Sequence, residues 1–183
     1  MERAAVFIDA GYLNKMLSEA SLQHQIDMAR LSEILCGHSS GSRRFRTYYY
    51  DCMPYQSNPP TDEEKMRYSK KDRFFASLRK ETAFEVRLGR LAKSPDGKFS
   101  QKMVDILLSI DLTMLSAKGA IQRAILVSGD SDFVPAVKLA KDQGVYVHLF
   151  HGRRNHAPLH DQLLDSCDER TELTGELLLK AKK

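Results

Sequence analysis

Three observations predict an α/β protein with a mainly parallel sheet. Apolar, strand-like runs alternate with amphipathic helical stretches from one end of the chain to the other. No internal repeat and no long Ser/Gly/Pro linker breaks that alternation. The 183 residues are 42% hydrophobic and 28% charged, which suits one core of ordinary size and excludes both a disordered tail and a large multidomain assembly. The expected unit is a single domain over residues 1–183, with a core at about 4–173 and a short tail at 174–183.

The elements follow in order. Val6-Phe7-Ile8 reads as the first strand, followed by helices near Tyr12 to Ala20 and Ile26 to Leu35. Arg44 to Asp51, with Phe45, Thr47 and three tyrosines, suits a second strand. Asn58-Pro59-Pro60-Thr61-Asp62-Glu63 is a break and a capping signal for a long helix through about Arg79. Phe84 to Leu88 is the third strand, and Ser94-Pro95-Asp96-Gly97 a turn or loop. Ser100 is expected to cap a helix to about Ala117, and Ala124 to Val127 to be a short strand. A helix from Asp132 to Gln143 stops at Gly144, and Val145 to Phe150 is the fifth strand. Beyond a His- and Arg-rich loop at His151 to His160 lie shorter elements ending in Leu177-Leu178-Leu179, which either cap the sheet or fray.

Composition narrows the functional classes. No apolar run reaches the roughly 18 to 20 residues a membrane span needs, and the early strand argues against a secretory leader. Cys36, Cys52 and Cys167 are odd in number and far apart, which fits neither a disulfide framework nor a zinc pair, so a cytoplasmic location is expected. Between Arg43 and Lys102 there are 15 Lys and Arg against 8 Asp and Glu, a net of +7, while the remainder carries 13 against 16. That asymmetry fits a polyanion held by the basic segment and a cation by carboxylates elsewhere; it equally fits a solvated surface.

In open α/β sheets ligands sit outside the carboxyl ends of the strands. Asp9 directly follows the first strand, and Ser128-Gly129-Asp130-Ser131-Asp132 follows Ile125-Leu126-Val127. If those strands are neighbours, three carboxylates converge, and a hard divalent cation is the usual remedy for their repulsion. Each acid taken singly is also a plain turn or cap residue, Asp132 above all. Asp105 falls at the margin of the buried face that Val104, Leu107, Leu108 and Leu115 define on their helix. Asp111 projects from the apolar stripe, where it is either a structural hydrogen-bonding residue or a second-row acid of the site. Lys102, three residues before Asp105, is a phosphate contact or a surface partner.

Taken together, these stretches resemble the NYN domains of the LabA-like branch, a subgroup of the PIN-like nucleases. The resemblance rests on Val6-Phe7-Ile8-Asp9-Ala10-Gly11-Tyr12-Leu13-Asn14, on Gln101-Lys102-Met103-Val104-Asp105 with Asp111, and on Ile125 to Pro135. Tyr48 to Asp51, Gly89-Arg90-Leu91 and Gly144 add to it, and it spans about residues 4–173. It implies a three-layer α/β/α PIN-like (Rossmannoid) domain with an acidic pocket that binds Mg²⁺ or Mn²⁺ and cuts RNA. On matching positions, Asp9, Asp105, Asp130 and Asp132 are the metal-pocket acids, Asn14 a polar pocket residue, and Ser128 a loop-lining one. Met103 stands where the family commonly has glycine.

The chemistry fits the residues in its own right. Phosphodiester hydrolysis needs an activated water and neutralised phosphoryl charge, and carboxylate-held metals supply both. Arg43, Arg44, Arg46, Lys70, Lys71, Arg73, Arg79, Lys80 and Arg90 are then available to follow a nucleic-acid backbone. Tyr48, Tyr49 and Tyr50 are read as core residues before a stacking face, because alternation sets Tyr49 opposite the other two. An aspartyl phosphatase is ranked below, since Gly11 holds the place of its second Asp; a dinucleotide enzyme lacks its glycine fingerprint. His148, His151, His156 and His160 lack zinc-ligand spacing. The alternative from another class is a non-catalytic RNA-binding or protein-interaction module on the same fold, and homodimerisation through an exposed helix or edge strand is left open.

Overall fold

The computed structural model describes residues 1–93, 99–153 and 157–183, with side chains 92–102 excepted. The elements are β1 (Arg3–Asp9), α1 (Ala10–Glu19), α2 (Met28–His38), β2 (Arg43–Cys52), α3 (Asp62–Leu78), β3 (Phe84–Lys93) and β4 (Phe99–Lys102). They continue as α4 (Val104–Ala117), β5 (Arg123–Val127), a 3-10 turn (Ser131–Phe133), α5 (Val134–Asp142) and β6 (Tyr146–His151). The chain ends in α6 (Asp161–Ser166), β7 (Glu169–Glu172) and α7 (Gly175–Leu179).

The strands form one sheet in the order β4-β3-β2-β1-β5-β6-β7. Six run parallel, and β4 adds an antiparallel edge against β3, with Arg90 opposite Lys102. The α/β architecture with a mainly parallel sheet is therefore as the alternation predicts, consistent with a PIN-like fold. β1 is apolar from Ala4 to Ile8, where both of its faces are covered. Val6 and Ile8 pack under the layer of α1, α2, α3 and α7. Ala5 and Phe7 pack under α4, α5 and α6. Tyr49 joins the first layer, while Tyr48 and Tyr50 join the second, where Phe7 and Tyr48 stack at 5.6 Å.

Several expectations need correction. Ser100 caps no helix: it lies in β4, and α4 begins at Val104 after Met103, whose φ of 73° is left-handed and whose side chain makes no capping bond. The buried face of α4 is Val104, Leu108, Leu112 and Ser116, with Leu107 and Leu115 only partly covered. α5 begins at Val134, because Ser131–Phe133 is a 3-10 turn. β4 and β7 escaped the sequence reading since both are four-residue, polar segments whose order comes from a neighbouring strand. The tail does not fray: Leu177, Leu178 and Ala181 are buried in the first layer. The predicted turn at 94–97 lies outside the described residues.

β1 pairs with β2 on one side and β5 on the other, so chain order reverses at β1. That reversal opens a crevice at the carboxyl ends of β1 and β5, where binding sites of open α/β sheets form. Asp9 ends β1, and Ser128-Gly129-Asp130 follows β5 directly.

Candidate metal and nucleic-acid site

The crevice holds a cavity of about 330 Å³, lined by Asp9, Asp105 and Asp130 from three separate elements, with Gly11, Tyr12, Lys15, Gly129, Pro158 and His160 completing it. Asp9 is fixed at the N-terminus of α1, its Oδ1 accepting from the Tyr12 amide at 3.1 Å. The Ser128 hydroxyl donates to Asp9 Oδ2 and accepts from the Asp130 amide, both at 3.3 Å. This wholly buried serine thus ties the two strand ends together. Asp130 Oδ1 accepts from the Asp132 amide at 3.0 Å, starting the 3-10 turn. Asp105 sits in the first turn of α4, where the helix dipole favours a negative charge.

The acids feel one another. Burial, reinforced by the charge of Asp105, pushes the Asp9 carboxyl up to about 6, against the lowering effect of the Tyr12 amide and Ser128. Asp105 is raised by burial first, then by Asp130 and Asp132. Carboxylates with raised proton affinity in a shared crevice gain from any cation placed among them. Among the described residues, no three His, Cys, Asp or Glu groups stand close enough to form a ready-made metal cage. A small hard cation that keeps several waters and takes one or two carboxylates suits this donor set better than an ion needing a closed shell.

Gly129 is where the loop is most constrained. A Cβ there would meet the Pro158 carbonyl oxygen at 2.0 Å and Tyr12 Cε2 at 2.4 Å. The Gly129 carbonyl accepts from the His160 amide at 3.1 Å, and the Tyr12 hydroxyl accepts from the Gly152 amide at 3.0 Å. Gly152 on one side and Pro158 and His160 on the other are thereby held against α1 and the post-β5 loop.

The sequence-derived residues divide. Asp9, Asp105 and Asp130 share the cavity, and Ser128 braces it. Asp132 is exposed and borders the adjoining groove between α4 and α5, together with Asp105. Asn14 lines a different cavity on the other side of α1, so it is not a residue of the acidic pocket. Arg90 is exposed on β3 and does not line the acidic cavity, and the Lys102 side chain lies outside the described residues. Asp111 takes the Tyr50 hydroxyl at 2.9 Å and Arg87 Nε at 3.2 Å, which gives its charge a structural partner set away from the acidic cavity.

Other expected contacts are spent within the fold. Arg44 pairs with Glu33 at 2.6 Å, Arg46 with Glu85 at 3.8 Å, and Lys71 with Asp51 at 2.5 Å. Arg153, in the His- and Arg-rich segment after β6, pairs with Glu172. Buried His148 sits against Phe150, with Nε2 2.8 Å from Thr171 Oγ1; His156 and Arg154 lie outside the described residues. Sequence reasoning missed Tyr12, Lys15, Pro158 and His160. The only signal for the last two was their position after the fifth strand, since the loop must fold back across the sheet to reach Gly129.

Sheet order, crevice and acid set define a PIN-like α/β protein. The NYN domain model matches residues 3–174, and the chain belongs to the NYN domain family, part of the PIN-like nuclease superfamily. The chain is also similar to the uncharacterized protein y4oD of Sinorhizobium fredii (strain NBRC 101917 / NGR234), at 36% identity over 98 residues. That alignment covers 52% of this chain and 44% of the relative, so the match reaches less than half the relative's length. No solved structure matches the chain. No helix among the described residues is long and apolar enough to cross a membrane.

Proposed function

We propose that this protein is a divalent-metal-dependent ribonuclease of the LabA-like branch, hydrolysing phosphodiester bonds in RNA. The observation that carries this reading is the convergence of Asp9, Asp105 and Asp130, from β1, α4 and the post-β5 loop, on one crevice at the reversal of chain order. Asp9, Asp105 and Asp130 would hold Mg²⁺ or Mn²⁺, with Asp132 at the outer edge. Such an ion, when bound, activates water and neutralises charge on the phosphoryl oxygens. Ser128 orients Asp9 and Asp130 through its two hydrogen bonds. Lys15, an exposed residue on the cavity wall, would be available to a non-bridging phosphate oxygen, and His160, on the same wall, to the leaving oxygen. The three cysteines are free and buried, which suits a reducing cytoplasm.

End-labelled single-stranded RNA, structured RNA and single-stranded DNA, each incubated with Mn²⁺, Mg²⁺ or EDTA, test the reading against Asp130→Asn purified identically. Metal-dependent RNA cleavage that the substitution removes is the expected result. Tight, salt-sensitive RNA binding without cleavage would instead make the protein a binding module on a nuclease fold.

A further inference from the structure

On the far side of α1 from the acids lies a larger cavity, about 530 Å³, between α1, the loop 20–27, the end of β2 and α3. Its floor is apolar and aromatic, built from Leu17, Ile26, Met28, Tyr49 and Phe74. Its mouth is cationic, and no Asp or Glu is among the residues that line it. Arg67 and Lys70 project from the exposed face of α3, and neither makes an ion pair among the described residues. Lys183 also lines the cavity, and a fourth cation, Lys71, lies deeper and is neutralised by Asp51, with its ammonium 5.9 Å from the Phe74 ring centre. Two amides, Asn14 and Gln23, face the same space. The Gln23 Nε2 donates to Ser18 Oγ at 2.7 Å, which fixes the side chain and leaves its carbonyl oxygen as an acceptor. His24, also on the wall, is held at a φ of 62°, a left-handed conformation uncommon outside glycine.

We infer that this cavity is a ribonucleotide-binding site, distinct from the acidic crevice. An apolar floor with an aromatic ring takes the flat face of a base. Amides with both donor and acceptor atoms read a base edge, and unpaired cations at the mouth take the phosphate. The volume lies within the roughly 300 to 1,000 Å³ typical of small-ligand sites. A fatty acid would use the floor and the cations but would leave Asn14 and Gln23 facing hydrocarbon, at the cost of their lost hydrogen bonds to water. The nucleotide has two sources: a free mononucleotide, or one unit of a longer strand. The second deepens the nuclease reading and rests on it, because Lys15 and Asn14, adjacent on α1, face the acidic crevice and this cavity respectively. A strand crossing α1 would have its scissile phosphate at the acids and a downstream or upstream base here.

The test is calorimetric titration of the whole chain in EDTA with AMP, ATP, a five-residue oligoadenylate and palmitate, repeated on Arg67→Glu/Lys70→Glu and on Asp130→Asn. Neither Arg67 nor Lys70 carries the fold, since both are exposed, and circular dichroism of the double variant checks this. AMP or ATP binding at one site per chain, weakened tenfold or more by the double variant and unchanged by Asp130→Asn, is expected for a free nucleotide. Binding of the oligomer alone, with the same loss in the double variant, is expected for a strand unit. No nucleotide binding, nucleotide binding indifferent to Arg67→Glu/Lys70→Glu, or palmitate binding in its place overturns the inference. EDTA keeps the outcome separate from cleavage, so failure of the nuclease reading and failure of this one are read independently.

Discussion

The two cavities that flank α1 are built from one helix yet are opposite in character. On one side Gly11, Tyr12 and Lys15 border three carboxylates; on the other Asn14 and Leu17 border an apolar floor under unpaired cations. The first is small, polar and assembled from strand ends; the second is larger, apolar and assembled between helices. The difference shows how a 100° step per residue lets one amphipathic helix border two cavities of opposite character, because neighbouring residues on it face different compartments.

The contrast is most sharply broken at the acids. Asp9→Asn or Asp130→Asn is expected to reduce metal-dependent cleavage by about 100-fold or more, while Arg67→Glu/Lys70→Glu leaves cleavage of a dinucleotide unchanged. Initial rates on a dinucleotide and on a long RNA separate the two cavities: loss on the long substrate alone assigns the cationic cavity to strand binding.

The next effect is steric. Gly129→Ala would drive a methyl group into the Pro158 carbonyl, a backbone atom that cannot rotate away. A loss of about 3 kcal/mol is expected from overpacking of this kind, read as a lower urea midpoint with an unchanged slope. Retention of wild-type stability would mean that the post-β6 loop is not clamped on Gly129.

A comparable effect concerns pH in the metal-free protein. Asp9 holds its proton up to about pH 6 in the fold, against an ordinary value of 3.8. The folded state therefore binds the extra proton, and stability falls as pH rises from about 4 through 6, by roughly 2 to 3 kcal/mol in all. Asp9→Asn keeps a capping oxygen for the Tyr12 amide and removes this titration. In EDTA it should be the more stable protein at pH 7 and not at pH 4. Millimolar Mg²⁺ or Mn²⁺ at pH 7 should close the gap by raising the melting temperature of the wild type alone. Equal melting curves for the two proteins at every pH would remove the electrostatic case for the acidic crevice.

The smallest effect lies beside α4. Met103 occupies a left-handed position that glycine adopts freely, so Met103→Gly should stabilise by up to about 1 kcal/mol. The resemblance to a family that commonly has glycine there gains its physical reason from this backbone angle. A destabilised variant would show that the half-exposed Met103 side chain contributes more than its backbone costs.

Much of the fold was legible because its signals are local. β1, β5 and β6 are mostly apolar runs covered on both faces, β2 carries the strand-favouring Phe45, Thr47 and three tyrosines, and Thr61 with Glu64 forms the reciprocal cap that starts α3. The acids were legible for the same reason, as polar residues immediately after apolar strands. Asn14 was misplaced because strand-end logic says nothing about which side of the following helix a residue faces. Arg44, Arg46 and Lys71 were counted as free cations because their partners Glu33, Glu85 and Asp51 are distant in sequence or hidden by strand pairing.

The sequence by itself determined the alternation of strands and helices, the buried identity of β1 and the presence of carboxylates at two strand ends. Each of these depends on hydrophobic periodicity and capping within a few residues. Only the tertiary structure decided that β1 and β5 are neighbours, that the loop after β6 folds onto Gly129, and that α1 parts an acidic crevice from a cationic cavity. Those outcomes depend on which apolar faces find one another across the sheet, and that is a property of the packed chain as a whole.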